Sequence, residues 1–262
     1  MNSELEFAAQ LARETGGRLL EAFKPEGTIA TLKEDLTLVT EADVAADQRI
    51  ANQIKDHYPE DLLISEELQP GLPENAPPGG RAWVVDPLDG TTNFSLGLAI
   101  WGVSIALLVE GWPYLAALYF PTMGELYTAQ IGRGAFLNGE RIHAKGLDPN
   151  KPAPFFSCCS RTYRNYDVNI RYKPRILGSA AFNLCAVARG MAVIAFEATP
   201  KIWDIAGGWL VVSEAGGVIE TYDGSQPFPI LPGQDYRARS FPTIAAANPE
   251  LAAEAHEKIK RR

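Results

Sequence analysis

The chain has 262 residues, 46% of them hydrophobic and 21% charged, which supports a sizeable core and argues against bulk disorder. Its 24 basic and 32 acidic residues leave a net charge of −8, so no global attraction to nucleic acid or anionic lipid is expected. Three cysteines without a CxxC pair and three scattered histidines exclude a signalled disulfide framework, thiolate zinc site or His-metal motif.

Carboxylates are therefore the expected carriers of any chemistry. The longest charge-free stretch, Gly90 to Val109, is too polar for a membrane span. The opening MNSELEF lacks the basic and apolar regions of a signal peptide, so a cytoplasmic protein is expected.

In chain order, Leu5, Ala8, Ala12, Leu19 and Phe23 recur at helical spacing and predict a helix over 3–23, opened by Ser3 with Glu6 and stopped by Pro25. A second helix is predicted from about Thr40, with Asp43 in its first turn and Val44, Ala51 and Ile54 as its apolar face. Leu62–Ser65 and Ala82–Asp86 read as strands ending at acidic residues, with a Pro- and Gly-rich loop between them. Residues 102–109 and 113–119 read as successive strands turning at Glu110-Gly111, and Asn138-Gly139 signals a further hairpin with a type I′ turn. Phe155–Ser160 and Val193–Phe196 are predicted strands. Helices are predicted over 179–189, over 204–214 and from Pro249 to Lys260. No repeat and no interdomain linker is visible. The mixture points to sheets layered with helices, α/β or α+β, in one domain over 1–262 with parts of about 1–145 and 146–262.

The most informative stretch is Trp83 to Phe94, WVVDPLDGTTNF. An apolar strand delivers Asp86, Pro87 withholds an amide from the sheet ladder, Asp89 follows, and Gly90 permits a tight turn into Thr91, Thr92 and Asn93. Such a turn aims two carboxylates, a carbonyl and helix-start amides at one point. Hard divalent cations take oxygen ligands, and helix-start amides suit an anion. Asp86 and Asp89 would equally serve as turn formers. Three more carboxylate sources lie at element ends: Glu66-Glu67 after LLIS, Asp204 after Trp203, and Asp43. Each alone would also fit a helix cap or a solvated charge.

These motifs resemble the inositol monophosphatase family, Mg²⁺-dependent and lithium-sensitive sugar-phosphate phosphatases. Asp86-Pro87-Leu88-Asp89-Gly90-Thr91-Thr92-Asn93 matches its first motif, and Trp203-Asp204-Ile205-Ala206 running to Glu214-Ala215-Gly216-Gly217 its second. Glu66-Glu67 and Leu38-Val39-Thr40-Glu41-Ala42-Asp43 complete the set in family order over nearly the whole chain. The resemblance implies a layered α/β/α/β/α architecture and a homodimer. It implies two or three Mg²⁺ ions held by Glu66, Asp86, the Leu88 carbonyl, Asp89 and Asp204. Thr91 and Asp43 would orient the attacking water, with Glu66 also catalytic and Glu67 an acid behind the ligands. The substrate would meet Asp89, Gly90, Thr91, Thr92, Gly178, Ser179, Ala180, Glu197 and Asp204. Glu197 matches the acid that accepts ring hydroxyls in inositol-selective members; a surface ion pair is its other reading, and a helix cap that of Gly178 and Ser179.

Three departures stand out. Val193 occupies the place of a common Asp before that acid, Ser65 replaces a usual Gly, and Gly207-Gly208 replaces Ala. The implied activity is hydrolysis of a small polyol phosphate, inositol monophosphate first. Relatives hydrolyse fructose 1,6-bisphosphate, histidinol phosphate or 3′-phosphonucleotides. A reading of another class comes from Arg161 to Arg175, with five cations interleaved with Tyr163, Tyr166 and Tyr172. It would make the chain a metal-stabilised module binding RNA or protein; the stretch would also suit a second substrate phosphate, a solvated loop or a subunit contact. Lys33 would approach the phosphate side or stay exposed. Cys158, Cys159 and Cys185 are expected as small core residues.

Overall fold

The computed structural model describes residues 3–32, 38–77, 79–146 and 154–262. Lys33, expected near the phosphate, lies outside the described residues.

The chain opens with helix α1 (Ser3–Ala22), which buries Leu5, Ala8, Leu11, Ala12 and Leu19 along one stripe. A short antiparallel pair follows, β1 (Thr31–Leu32) with β2 (Leu38–Val39). Helix α2 (Glu41–His57) is opened by Thr40 and Asp43 as a reciprocal cap. Its inward face is Asp43, Ala46, Asp47, Ile50 and Ile54, whereas Val44 is 45% exposed. The expected apolar face was thus rotated. Two inward-facing carboxylates disguise the true stripe, because a hydrophobicity pattern counts them as outside.

Seven strands form the larger sheet in the order β3 (Leu62–Ser65), β4 (Ala82–Asp89), β5 (Gly102–Val109), β6 (Trp112–Phe120), β7 (Glu125–Gln130), β8 (Gly134–Leu137) and β9 (Glu140–Ile142). The β3–β4 pair is parallel and the other neighbours are antiparallel. Alternation sorts the side chains to two faces. Trp83, Val85, Val103, Ile105 and Leu115 pack with α1 and α2, while Val84, Ala106, Ala116 and Leu118 face the interior. The predicted turns hold: Glu110 and Gly111 both have positive φ (54° and 78°), as do Asn138 and Gly139 (51° and 86°).

Strand β10 (Phe155–Cys158) begins the second sheet. The basic stretch after it is not one loop: it contains helix α4 (Thr162–Asn165), preceded in the chain by the five-residue helix α3 (Thr91–Ser95), and strands β11 (Tyr166–Val168) and β12 (Lys173–Ile176). Next come α5 (Ala180–Ala188), β13 (Ala192–Glu197), α6 (Ile202–Glu214), β14 (Val218–Thr221), β15 (Thr243–Ala246), α7 (Pro249–Lys258) and β16 (Ile259–Arg261). The second sheet runs β12-β10-β13-β15-β14. The last helix stops at Lys258 because Ile259–Arg261 pairs with β11 instead.

Three buried clusters define the layers. The first lies between α1/α2 and the large sheet. The second lies between the two sheets and holds α5 and α6. The third joins Phe156, Ile194, Phe196 and Ile244 to Leu251 and Ala255 of α7. The order is therefore α/β/α/β/α. Gly207 and Gly208 belong to the middle layer: a Cβ on Gly208 would lie 2.5 Å from Leu184 Cδ1, and one on Gly207 2.8 Å from Ser104 Oγ. Close packing explains both. No described helix is long and apolar enough to cross a membrane.

Candidate active site

The β4 ladder pairs Asp86 with Ser104, breaks across Pro87, and resumes at Asp89 opposite Gly102. Leu88 N–H turns back to donate to Asp86 Oδ1 at 3.0 Å. Gly90 has φ +98°, and a Cβ there would come within 2.9 Å of Ile100 O, so the turn into α3 demands glycine. Asn93 then ties that turn to the second half of the chain: its Nδ2 donates to Ile100 O (2.6 Å) and to Leu177 O (2.7 Å). Just beyond Leu177, the Ser179 hydroxyl and the Ala180 and Ala181 amides (3.0 and 3.1 Å) all donate to Asp89. The start of α5 thus holds the Asp89 carboxylate, while Ser179 also caps the helix through Phe182 N–H.

The other carboxylates arrive from separate elements. Asp43 lies behind Thr91 and takes its hydroxyl proton donor at 2.8 Å; the Thr40 N–H donates to its other oxygen at 2.9 Å. Asp47, one turn on, accepts from the Glu67 and Leu68 amides (2.9 and 3.1 Å) and so fixes the chain just after Glu66. Asp204 sits in the first turn of α6 and accepts from Lys201 N–H at 2.7 Å. A loop between β14 and β15 closes the ring. Tyr236 N–H donates to Pro70 O (2.8 Å) and Gly233 N–H to Leu72 O (3.0 Å). Arg237 donates to Glu66 O at 3.1 Å and accepts from Lys201 Nζ through its own carbonyl.

One cavity of about 660 Å³ is lined by Glu66, Asp86, Leu88, Asp89, Gly90, Thr91, Thr92, Gly178, Ser179, Ala180, Glu197 and Asp204. Every expected ligand and substrate residue therefore faces a common space, and Asp43 reaches it through Thr91. Glu67 is not in the lining. Asn93 and Trp203, members of the two motifs without an assigned role, line it as well, and Asn183, Thr199 and Lys201 contribute without any sequence signal. Arg161 is there too, donating to Thr199 Oγ1 at 3.1 Å. Cys158 and Cys185 are buried, but Cys159 is half-buried in the cavity wall, not a core residue. Glu197 is only 3% exposed and, among the described residues, forms no ion pair; its partner is Asn183, so the surface ion-pair reading fails.

The carboxylates strain against their setting. Burial pushes Asp86 well above the usual carboxylate range, helped by the charges of Glu66, Asp89 and Asp204. Burial carries Asp89 to about 6 against the pull of its α5 donors, and Asp204 to about 7 with the Asp89 charge adding to it. Among the described residues no three His, Cys, Asp or Glu side chains stand gathered as a ready-made ion cage. Like charges do not converge unaided, and Asp89 and Asp204 are engaged by helix-start amides. Yet an all-oxygen, net-anionic donor set on one cavity, buried but for the half-buried Glu66, fits a hard divalent cation and suits neither zinc thiolate nor imidazole chemistry.

Layered fold and cavity together define an α/β/α/β/α protein with one carboxylate-lined site. The chain belongs to the inositol monophosphatase family, whose model matches residues 1–261. It is similar to the Nus factor SuhB of Escherichia coli K12, 36% identical over 96% of this chain and 93% of that protein. A histidinol-phosphatase of Chlorobaculum parvum is 34% identical over 86% and 88% of the two chains. Among solved structures, an IMPase of Thermotoga maritima superposes with a TM-score of 0.77 at 27% identity, covering 97% of this chain and 95% of that one. The chain is accordingly a phosphatase of this family, which acts on phosphorylated sugars and polyols.

Proposed function

We propose that residues 1–262 form one domain that hydrolyses a small polyol monophosphate, with inositol monophosphate as the leading substrate, using Mg²⁺. The single observation that carries this is that Glu66, Asp86, Asp89 and Asp204 all line the cavity that also holds Thr91 and Glu197. Glu66, Asp86, the Leu88 carbonyl, Asp89 and Asp204 would hold the ions. Bound divalent cations lower the pKa of water and offset charge growing on the phosphoryl group and leaving oxygen.

The protein's own groups do the rest. The Gly90–Thr91 turn presents amides to the phosphoryl oxygens, which positions phosphorus over the carboxylates. Thr91 Oγ1 points its proton at Asp43 Oδ1, so its lone pairs are free to accept from water and orient it for attack. Asp43 stays a competent acceptor because Thr40 and the start of α2 hold it. At the far wall, Glu197 accepts substrate hydroxyls. Lithium inhibition and a homodimer, implied by the family resemblance, belong to the same reading.

Fructose 1,6-bisphosphate, histidinol phosphate and 3′-phosphonucleotides are the competing substrates, and the histidinol-phosphatase relative supports testing the second. An interaction role has one support, the Nus factor designation of the SuhB relative. The basic stretch supports it less than the sequence suggested, because Tyr166 is buried and the cations are spread over separate elements. Phosphate release from a panel of polyol, sugar and nucleotide phosphates, with and without Mg²⁺, tests the proposal. Turnover of inositol monophosphate only with Mg²⁺ supports it; background rates on every substrate overturn it.

A further inference from the structure

Glu197 ends β13 with its carboxylate buried and no cation beside it among the described residues. A carboxylate in that position becomes neutral unless something favours its charge. What it has is Asn183, in the middle of α5, 1% exposed, whose Nδ2 donates to Glu197 Oε1 at 2.6 Å. Both residues line the cavity. Asn183 Oδ1, the other end of the same amide, is buried with no partner among the described residues. The amide therefore commits one of its N–H groups to the carboxylate and holds it against the wall that α5 gives the cavity.

We propose that Asn183 is a specificity-positioning residue: by fixing Glu197 as an acceptor turned to the cavity, it selects phosphate esters that carry neighbouring hydroxyl groups. This deepens the reading above and rests on Glu197 meeting substrate. Asn183 acts in two ways. It removes one rotational choice from the Glu197 carboxylate and holds it at the cavity wall. It also favours the charged form, and a charged acceptor binds a hydroxyl more strongly than a neutral acid does. The groups facing Glu197 set the balance: burial pushes it up to about 8, Asp89 and Asp204 push the same way, and Asn183 and Cys159 oppose them.

The sequence alone offered no sign of this. Asn183 sits in an apolar helical run, and only the packing of α5 against β13 brings it to the acid.

The test uses the full chain with Mg²⁺ and compares inositol monophosphate with phenyl phosphate, an ester without neighbouring hydroxyls. Asn183→Leu, Glu197→Gln and the double variant are measured for kcat/KM on both, with KM followed against pH. Asn183→Leu should lower the inositol-to-phenyl ratio about tenfold, the loss of one hydrogen bond to a charged group. The loss should fall on KM, and the pH at which the inositol ester binds well should move upward, which a merely structural role would not cause. The double variant should be no less selective than Glu197→Gln alone. A ratio unchanged in Asn183→Leu but lowered in Glu197→Gln, or losses that multiply in the double variant, would overturn the role of Asn183. An unchanged ratio in Glu197→Gln would instead overturn the reading of Glu197 as a substrate contact, and this inference with it. Asn183→Ala reads the same ratios should the leucine variant not fold.

Discussion

Thr91 Oγ1 lies 2.8 Å from Asp43 Oδ1 and 3.1 Å from Leu88 O, and with its proton given to the nearer carboxylate its lone pairs are left for water. Removing that hydroxyl removes the orienting acceptor for water. Thr91→Ala should cut kcat on the order of 10²–10³-fold, whereas Thr91→Ser should retain most of it; steady-state phosphate release distinguishes them. Asp89→Asn should abolish turnover and also cost about 1–2 kcal/mol of stability, because an amide cannot accept from all of Ser179, Ala180 and Ala181. Near-normal turnover would contradict its assignment as an ion ligand. The acidic residues of this site were readable from sequence because each stands at an element end inside a recognisable motif. Asp47 and Asn183 were not, nor was the tie that Asn93 makes to Leu177, because a side chain that bonds backbone or another side chain far along the chain leaves no local spacing to find.

Packing between elements explains what the motifs did not. Gly208 in α6 faces Leu184 of α5 so closely that Gly208→Ala should destabilise the protein by about 1–3 kcal/mol, despite a helix-propensity gain of about 1 kcal/mol. Combined with Leu184→Ala, Gly208→Ala should cost less than it does alone, a coupling read from urea unfolding. The loop between β14 and β15 offers a second case. Arg237 links the main chain at Glu66 to Lys201, the residue capping the helix that bears Asp204. Arg237→Ala should therefore shrink the rise in melting temperature produced by added Mg²⁺ while changing the cation-free melting temperature little. An unchanged Mg²⁺ response would remove this coupling role. Strand and helix positions were predicted well where an apolar run was bounded by turn or cap residues, as in β5, β6 and α5. They were missed in β11, β12 and β16, whose short, charged, largely exposed sequences pair only because a distant segment offers an edge.

For the molecule as a whole, the raised carboxylates set the response to pH. Asp89, Asp204 and Glu197 sit at about 6, 7 and 8 in the folded chain, above about 4 for such groups when unfolded. Between those limits the folded state holds more protons, so cation-free stability should fall as pH rises from about 5 to 8. Mg²⁺ binds the ionised forms and should flatten the decline. Melting curves with and without the cation test both, and cation-free stability that rose over this range would contradict the sign. The cavity draws Glu66 and Asp86 from one sheet and Glu197 from the other, so order in the two is linked through it. Trp203 is 3% exposed, lies in that wall and directly precedes Asp204. Its indole makes the molecule its own fluorimeter: emission from that one ring should change colour as the vault beside it fills, giving a label-free titration once the other tryptophans are silenced.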